Sequence, residues 1–306
     1  MVPVYRYKET LLHGLNAVAS LLLVASLAAA ALLLENPLYV MVVCAGTMGI
    51  ILCAETWEEC RAFLRIGLVV ALFIAVLNPL VNSQGEHVLV YGPRIPLWGS
   101  LDITLEAVLY GLSSALRVFT VIMICGLAST VINPDDLLGM FSRFSSRSSL
   151  SAALAVRLYP SMVSEARAIR EVQLVRGERL KGGGRFSRAK AHLPMLLSLF
   201  QGSLDRAASI AESMSARGFG SGGRTRMRRS PFRARDAVVV TLSMSLLGVA
   251  VAASVGGKGA YSFFPTLSDP WSEASPAALT ALAAVLLSVV LLSWSWKRWH
   301  WLRSKI

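Results

Sequence analysis

Apolar residues gather in six long runs along the chain, and the residues between those runs are markedly polar. The runs extend from Leu15 to Leu34, Pro37 to Ala54, Ile66 to Val81, Ile103 to Ile132, Ala237 to Val255 and Ala277 to Trp296. A helix satisfies its own backbone hydrogen bonds inside lipid, and about 20 predominantly apolar residues suffice to cross. The pattern therefore predicts about six transmembrane helices. Glu35-Asn36-Pro37 ends the first run, and Glu55, Glu58, Glu59, Arg61 and Arg65 close the second. Asn78-Pro79 interrupts the third near its end, and a polar segment with turn signals, Asn82 to Ser100, leads to the fourth.

Between the fourth and fifth runs the pattern changes from continuous to periodic. Leu150, Leu154, Leu158, Met162, Ala166 and Ile169 recur at spacings of three and four, which lines them along one helix face. Pro160 is expected to kink that helix, and Gly182-Gly183-Gly184 to break it. A second amphipathic helix is predicted from Ala191 to Arg217, with Leu196, Phe200, Leu204, Ala207, Ala211 and Met214 on one face. The glycines from Gly218 to Gly223 end it. The fold class is accordingly an all-α polytopic membrane protein, with two or three long helices outside the bilayer. Three regions follow: residues 1–132 with four spans, 133–236 with the amphipathic helices, and 237–306 with two spans and a basic tail.

Composition agrees. The 306 residues are 55% hydrophobic and only 16% charged, whereas a water-soluble domain carries roughly a quarter charged residues. Charge then orients the chain. The net charge is +12, and well over half of the 30 Lys and Arg residues fall between residues 133 and 236. Cytoplasmic loops keep positive charge, so this segment, the Arg61/Arg65 loop and the tail with Lys297, Arg298, Arg303 and Lys305 are placed inside. The loops with Arg94 and Lys258 go outside, and both termini of this cell-membrane protein become cytoplasmic. Trp294, Trp296, Trp299 and Trp301 suit an interfacial belt. Arg6 and Lys8 ahead of the first run superficially match a signal peptide, but the run's length and the lack of a cleavage site favour a retained span.

Few residues invite a chemical reading. Cys44, Cys53, Cys60 and Cys125 lie in or beside apolar stretches without the spacing of a disulfide framework or zinc cluster, and read as packing residues. His13, His87, His192 and His300 are scattered, so no metal site is expected. Asp102 and Glu106 read as loop and first-turn residues, and Glu55, Glu58 and Glu59 as a solvated face. Arg117, well inside the fourth run, must face protein or water; a packing partner and a place on a substrate path fit it equally. There is no Gly-x-x-x-x-Gly-Lys-Ser/Thr phosphate loop, and Gly256-Gly257-Lys258-Gly259 lacks the hydroxyl residue. No catalytic constellation is present, so the chain is not read as an enzyme.

The two amphipathic helices end alike, on Val175-Arg176-Gly177 and Ala216-Arg217-Gly218. An arginine can contact a carboxylate bidentately, and a glycine permits close backbone approach. Arginine also suits any helix C-terminus, and topology alone puts basic residues here, so neither tripeptide says much singly. The pair, each closing an amphipathic helix in one segment, points to two matching sockets on a partner. A secondary transporter would show internal repeats and midplane ionisable residues, whereas the spans are nearly bare of charge apart from Arg117. A nucleic-acid or lipid binder could use the basic run from Arg224 to Arg235, but that run abuts the fifth span and lacks interleaved aromatics beyond Phe232. Nucleic acid is therefore not expected as a partner.

At these motifs the sequence resembles the transmembrane T component of energy-coupling factor (ECF) transporters, the CbiQ-like family, over most of its length. The resemblance is carried by Asn78-Pro79-Leu80, Ile103-Thr104-Leu105-Glu106-Ala107, Tyr110-Gly111, Arg157-Leu158-Tyr159-Pro160, Glu165 and Gln173 to Gly177. The most specific block runs from Asp205-Arg206-Ala207 through Ala211 to Gly220. Val175 departs from the alanine usual before the first Arg-Gly. The resemblance implies a non-catalytic coupling subunit of an ABC importer for a vitamin, related micronutrient or metal ion. It further implies two ABC ATPase subunits that hold ATP and Mg, and a small membrane S component that binds substrate. Val175, Arg176, Gly177, Ala216, Arg217 and Gly218 would dock the ATPases, and Leu154, Leu158, Met162, Leu196, Phe200 and Leu204 would face the S component.

Overall fold

The computed structural model describes residues 8, 10–82, 87–90, 94–95, 99–100, 103–133, 136–137, 146–176, 185–221, 232–263, 269–270 and 274–298. Among them helix dominates: α1 (Ala17–Leu33), α2 (Pro37–Cys53), α3 (Trp57–Val81), α4 (Leu105–Val131), α5 (Ser146–Val175), α6 (Arg185–Ala216), α7 (Ala234–Val255) and α8 (Pro276–Arg298). The chain divides into two compact units, one of Met1–Leu137 with Ser230–Ile306, the other of Leu138–Arg229.

In the first unit α1 packs chiefly on α7, α2 lies against α8 and α4, and α3 rests almost wholly on α4. Glycine sets the α3–α4 spacing, because a Cβ at Gly126 would stand 3.1 Å from Phe63 and one at Gly67 3.2 Å from Ile122. The outer faces of α3 remain apolar, with Ile66, Val69, Leu72 and Phe73 each at least 60% exposed, as lipid-facing helix surfaces are. Buried leucines of α1, together with Tyr39, Val43 and Ile50 of α2, form the centre of the core.

Four helices, α3, α4, α7 and α8, are long and apolar enough to cross a membrane; α1 and α2 have 17 residues each. At 1.5 Å per residue such a helix reaches only about 25 Å, a little short of the hydrocarbon core. The two meet at the turn Leu34-Glu35-Asn36, which ends α1 and where Asn36 caps the start of α2 by accepting the Leu38 amide (3.0 Å) and Pro37 occupies its first turn. The turn is satisfied within the protein: the Glu35 and Asn36 amides donate to the Gly259 carbonyl, and the Asn36 side chain donates to the Pro270 carbonyl. Glu106, which the sequence placed simply in a first turn, is buried there and accepts hydrogen bonds from His87.

Three boundaries differ from the sequence pattern. Helix α3 begins at Trp57, well before Ile66, and takes in the polar group assigned to a loop, because Glu58 and Glu59 suit a helix N-terminus. The segment before α4 contains short antiparallel pairs, Val88–Val90 (β1) with Ile103–Thr104 (β4) and Arg94–Ile95 (β2) with Gly99–Ser100 (β3). Helix α6 begins at Arg185, ahead of the expected Ala191, and continues through Pro194, while Pro160 lies inside α5.

Candidate functional site

Helices α5 and α6 make up most of the second unit. They meet where Arg206 pairs with Glu165 at 2.7 Å, and Gly202 lies opposite that carboxylate, since a Cβ there would come within 2.9 Å of it. Met195, Leu199, Gly202, Arg206, Ile210 and Met214 form the less exposed row of α6, at spacings of three and four. Leu196, Phe200 and Leu204 stand on another face and are 57%, 64% and 54% exposed. The apolar periodicity groups them with Met214, which belongs to the inner row instead. The difference is physical: a small residue and an ion pair set the α5–α6 contact, and neither registers in a hydrophobic pattern. On α5, Leu154 and Leu158 are half-buried and Met162 is 37% exposed.

Local sequence explains the second tip closely. Helix α6 ends at Ala216, and the Gly218 amide donates to Ser215 (2.9 Å) while the Phe219 amide donates to Met214 (3.0 Å). This pair of bonds is a Schellman cap, which needs a left-handed residue after the last turn, and Gly218 supplies it with φ +75°. Ser221 then folds back, its amide (3.2 Å) and hydroxyl (2.7 Å) both donating to the Gly218 carbonyl. Arg217 consequently sits exposed on a backbone held from both sides. At the first tip, Val175 closes α5 at 88% exposure, and the exposed Arg176 still donates its amide to Val172 (3.0 Å). Gly177 lies outside the described residues.

Arg117 is in the first unit, where its guanidinium donates to the Leu34 carbonyl (3.3 Å). Leu34 is the C-cap of α1, so the cation meets the negative end of that helix dipole. Glu106, with no side-chain exposure, accepts the His87 amide (3.3 Å) and lies 2.8 Å from His87 Nδ1. Local spacing in the sequence does not join His87 to Glu106, which lies far along the chain from it. Among the described residues no cluster of three His, Cys, Asp or Glu side chains could hold a metal ion.

The family model of the cobalt transport protein CbiQ matches residues 8–228. The chain belongs to this family. Its relatives include the energy-coupling factor transporter transmembrane protein EcfT of Ruminiclostridium cellulolyticum, 30% identical over 193 residues, which is 60% of this chain and 71% of the relative. EcfT of Brevibacillus brevis is 28% identical over 190 residues (58% and 69%), and EcfT of Staphylococcus aureus 26% over 194 (59% and 70%). The CbiQ match takes in helices α1 to α6 and both arginine tips. Family and apolar helices together identify a membrane-embedded transmembrane component of an ECF transporter.

Proposed function

We propose that the chain is the non-catalytic coupling subunit of an ECF-type ABC importer. It links two cytoplasmic ATPase subunits, which hold ATP and Mg, to a small membrane S component that binds a vitamin, related micronutrient or metal ion. The observation that carries this reading is Arg217, exposed on a glycine-locked helix end. A guanidinium held on such a backbone can enter a groove and bind a carboxylate with little ordering cost. Val175, Arg176 and Gly177 form the corresponding tip of α5.

The open row on α6 supports the second half of the reading. Leu196, Phe200 and Leu204 are more than half exposed, so a partner that covered them would remove a row of apolar surface from water. With Leu154, Leu158 and Met162 of α5 they form the surface assigned to the S component. Positive charge between residues 133 and 236 supports a cytoplasmic position for both helices, and the basic tail with Lys297, Arg298, Arg303 and Lys305 supports cytoplasmic termini in the cell membrane.

The test is co-purification of ATPases from native membranes with the tagged chain. Arg217→Ala is expected to weaken their recovery and uncouple ATP hydrolysis from uptake, and Arg176→Ala/Arg217→Ala to do so further. Undiminished recovery with the double variant would overturn the docking assignment.

A further inference from the structure

The residues just before α1 make bonds that neither the transport reading nor the helix pattern uses. Lys8 Nζ donates to the Glu55 carbonyl (2.6 Å) and to the Glu59 carboxylate (2.9 Å), reaching the α2–α3 turn and the first turn of α3. His13, 7% exposed in the 3₁₀ turn Leu12–Gly14, has Nδ1 at 2.6 Å from the Thr10 hydroxyl and lies close to the backbone of Thr130, in the last turn of α4, whose hydroxyl stands 3.9 Å from Cys60 Sγ in the same first turn of α3 that Lys8 holds. Burial, aided by the Lys8 ammonium, holds the His13 pKa below its ordinary value. The Gly14 carbonyl accepts a hydrogen bond from the Arg235 guanidinium, and the Asn16 amide donates to Asp236 (3.1 Å). Asp236 is 1% exposed and also accepts the Arg233 amide (2.8 Å), while Arg235 lies over the Trp296 ring of α8 at 5.4 Å. Leu11 and Leu12, each 1% exposed, seat the segment in the core.

Two of these attachments have a particular place in the chain. From α4 the chain runs out to the second unit, and at α7 it returns. Helices α4 and α7 each pack on α1 and share little contact with one another. Lys8 and residues 10–16 therefore bridge the two roots of the amphipathic segment. Resting on the coupling reading above, we infer that this N-terminal arm is a strap that holds the ends of α4 and α7 at a fixed separation. Motion of α5 and α6 then moves the membrane helices as a set instead of spreading the roots. His13, Arg235 and Asp236 are positioning residues in this scheme. Gly14 belongs with them, because a Cβ there would stand 3.1 Å from the Arg235 guanidinium, which would have to shift to make room for it.

The strap is tested on the full chain in lipid nanodiscs, with Cys44, Cys53, Cys60 and Cys125 replaced and spin labels placed at positions 132 and 232. Wild-type arm residues should give one narrow distance distribution. His13→Ala/Arg235→Ala should shift it to longer distances and broaden it, and His13→Gln/Arg235→Lys, which retains the bonding groups, should restore it. Gly14→Val removes no charged group and should broaden it too, which covers the case in which the double variant fails to fold. In complexes with the ATPases that co-purify, the arm variants should lower uptake per ATP hydrolysed while ATPase recovery holds. A distribution that stays narrow in every variant, or an unchanged uptake-to-ATP ratio, overturns the strap. If the wild-type chain recovers no ATPase, the coupling reading fails, and the distance distributions alone then decide whether the strap exists.

Discussion

At Gly218 the backbone takes φ +75°, a conformation that costs an L-residue with a Cβ roughly 1–2 kcal/mol. That residue also supplies one bond of the cap and accepts two from Ser221, so strain there acts directly on the orientation of Arg217. Gly218→Val is therefore expected to weaken ATPase recovery although Arg217 is intact, and Gly218→Asn, which tolerates the left-handed region, to retain more of it. Quantitative pull-down of the two variants side by side checks this; equal recovery would separate the cap from docking. The cap was legible because its signal is local: an amphipathic helix, an arginine and a glycine in succession. The partners of Arg117, Glu106 and Lys8 were not, because Leu34, His87 and Glu59 lie far from them in the chain and no periodicity links them.

Among elements, hydropathy located each long apolar helix but not how the helices approach one another. Gly126 and Gly248 look alike in the sequence, yet a Cβ at Gly126 would meet Phe63 at 3.1 Å and one at Gly248 meets nothing within 4 Å. Gly126→Leu should force α3 from α4 and destabilise by about 1–3 kcal/mol. Gly248→Ala should be neutral or stabilise by about 0.5–1 kcal/mol, because the helix interior disfavours glycine. Thermal unfolding in detergent compares them, and equal midpoints would refute the close α3–α4 approach. The same limit explains α6, whose inner row turns on Gly202 and Arg206, a space and a charge that a search for apolar positions passes over. It also explains α3, where the polar first turns looked like a loop although acidic residues favour a helix start.

For the molecule as a whole, six apolar runs become four helices of spanning length and two of 17 residues whose shared turn is tied to Gly259 and Pro270. On the coupling reading proposed above, the arginine tips, the open apolar row and the inferred strap would transmit force, and none of them is suited to holding a nucleotide. A nucleotide site needs a run of backbone amides around the phosphates with a lysine and a hydroxyl in fixed spacing, and the sequence carries no such loop. Arginines in the second unit could still attract a polyphosphate by charge alone, but that attraction is screened by salt, with a Debye length of about 8 Å at physiological ionic strength. The purified chain is therefore expected to neither hydrolyse ATP nor bind it stoichiometrically. Any residual association should disappear as salt is raised and be matched by inorganic triphosphate. Equilibrium dialysis with ATP-Mg at low and physiological salt, beside a turnover assay, makes the comparison. Saturable one-to-one binding that survives physiological salt would place a nucleotide site in this chain and end its assignment as a purely mechanical subunit.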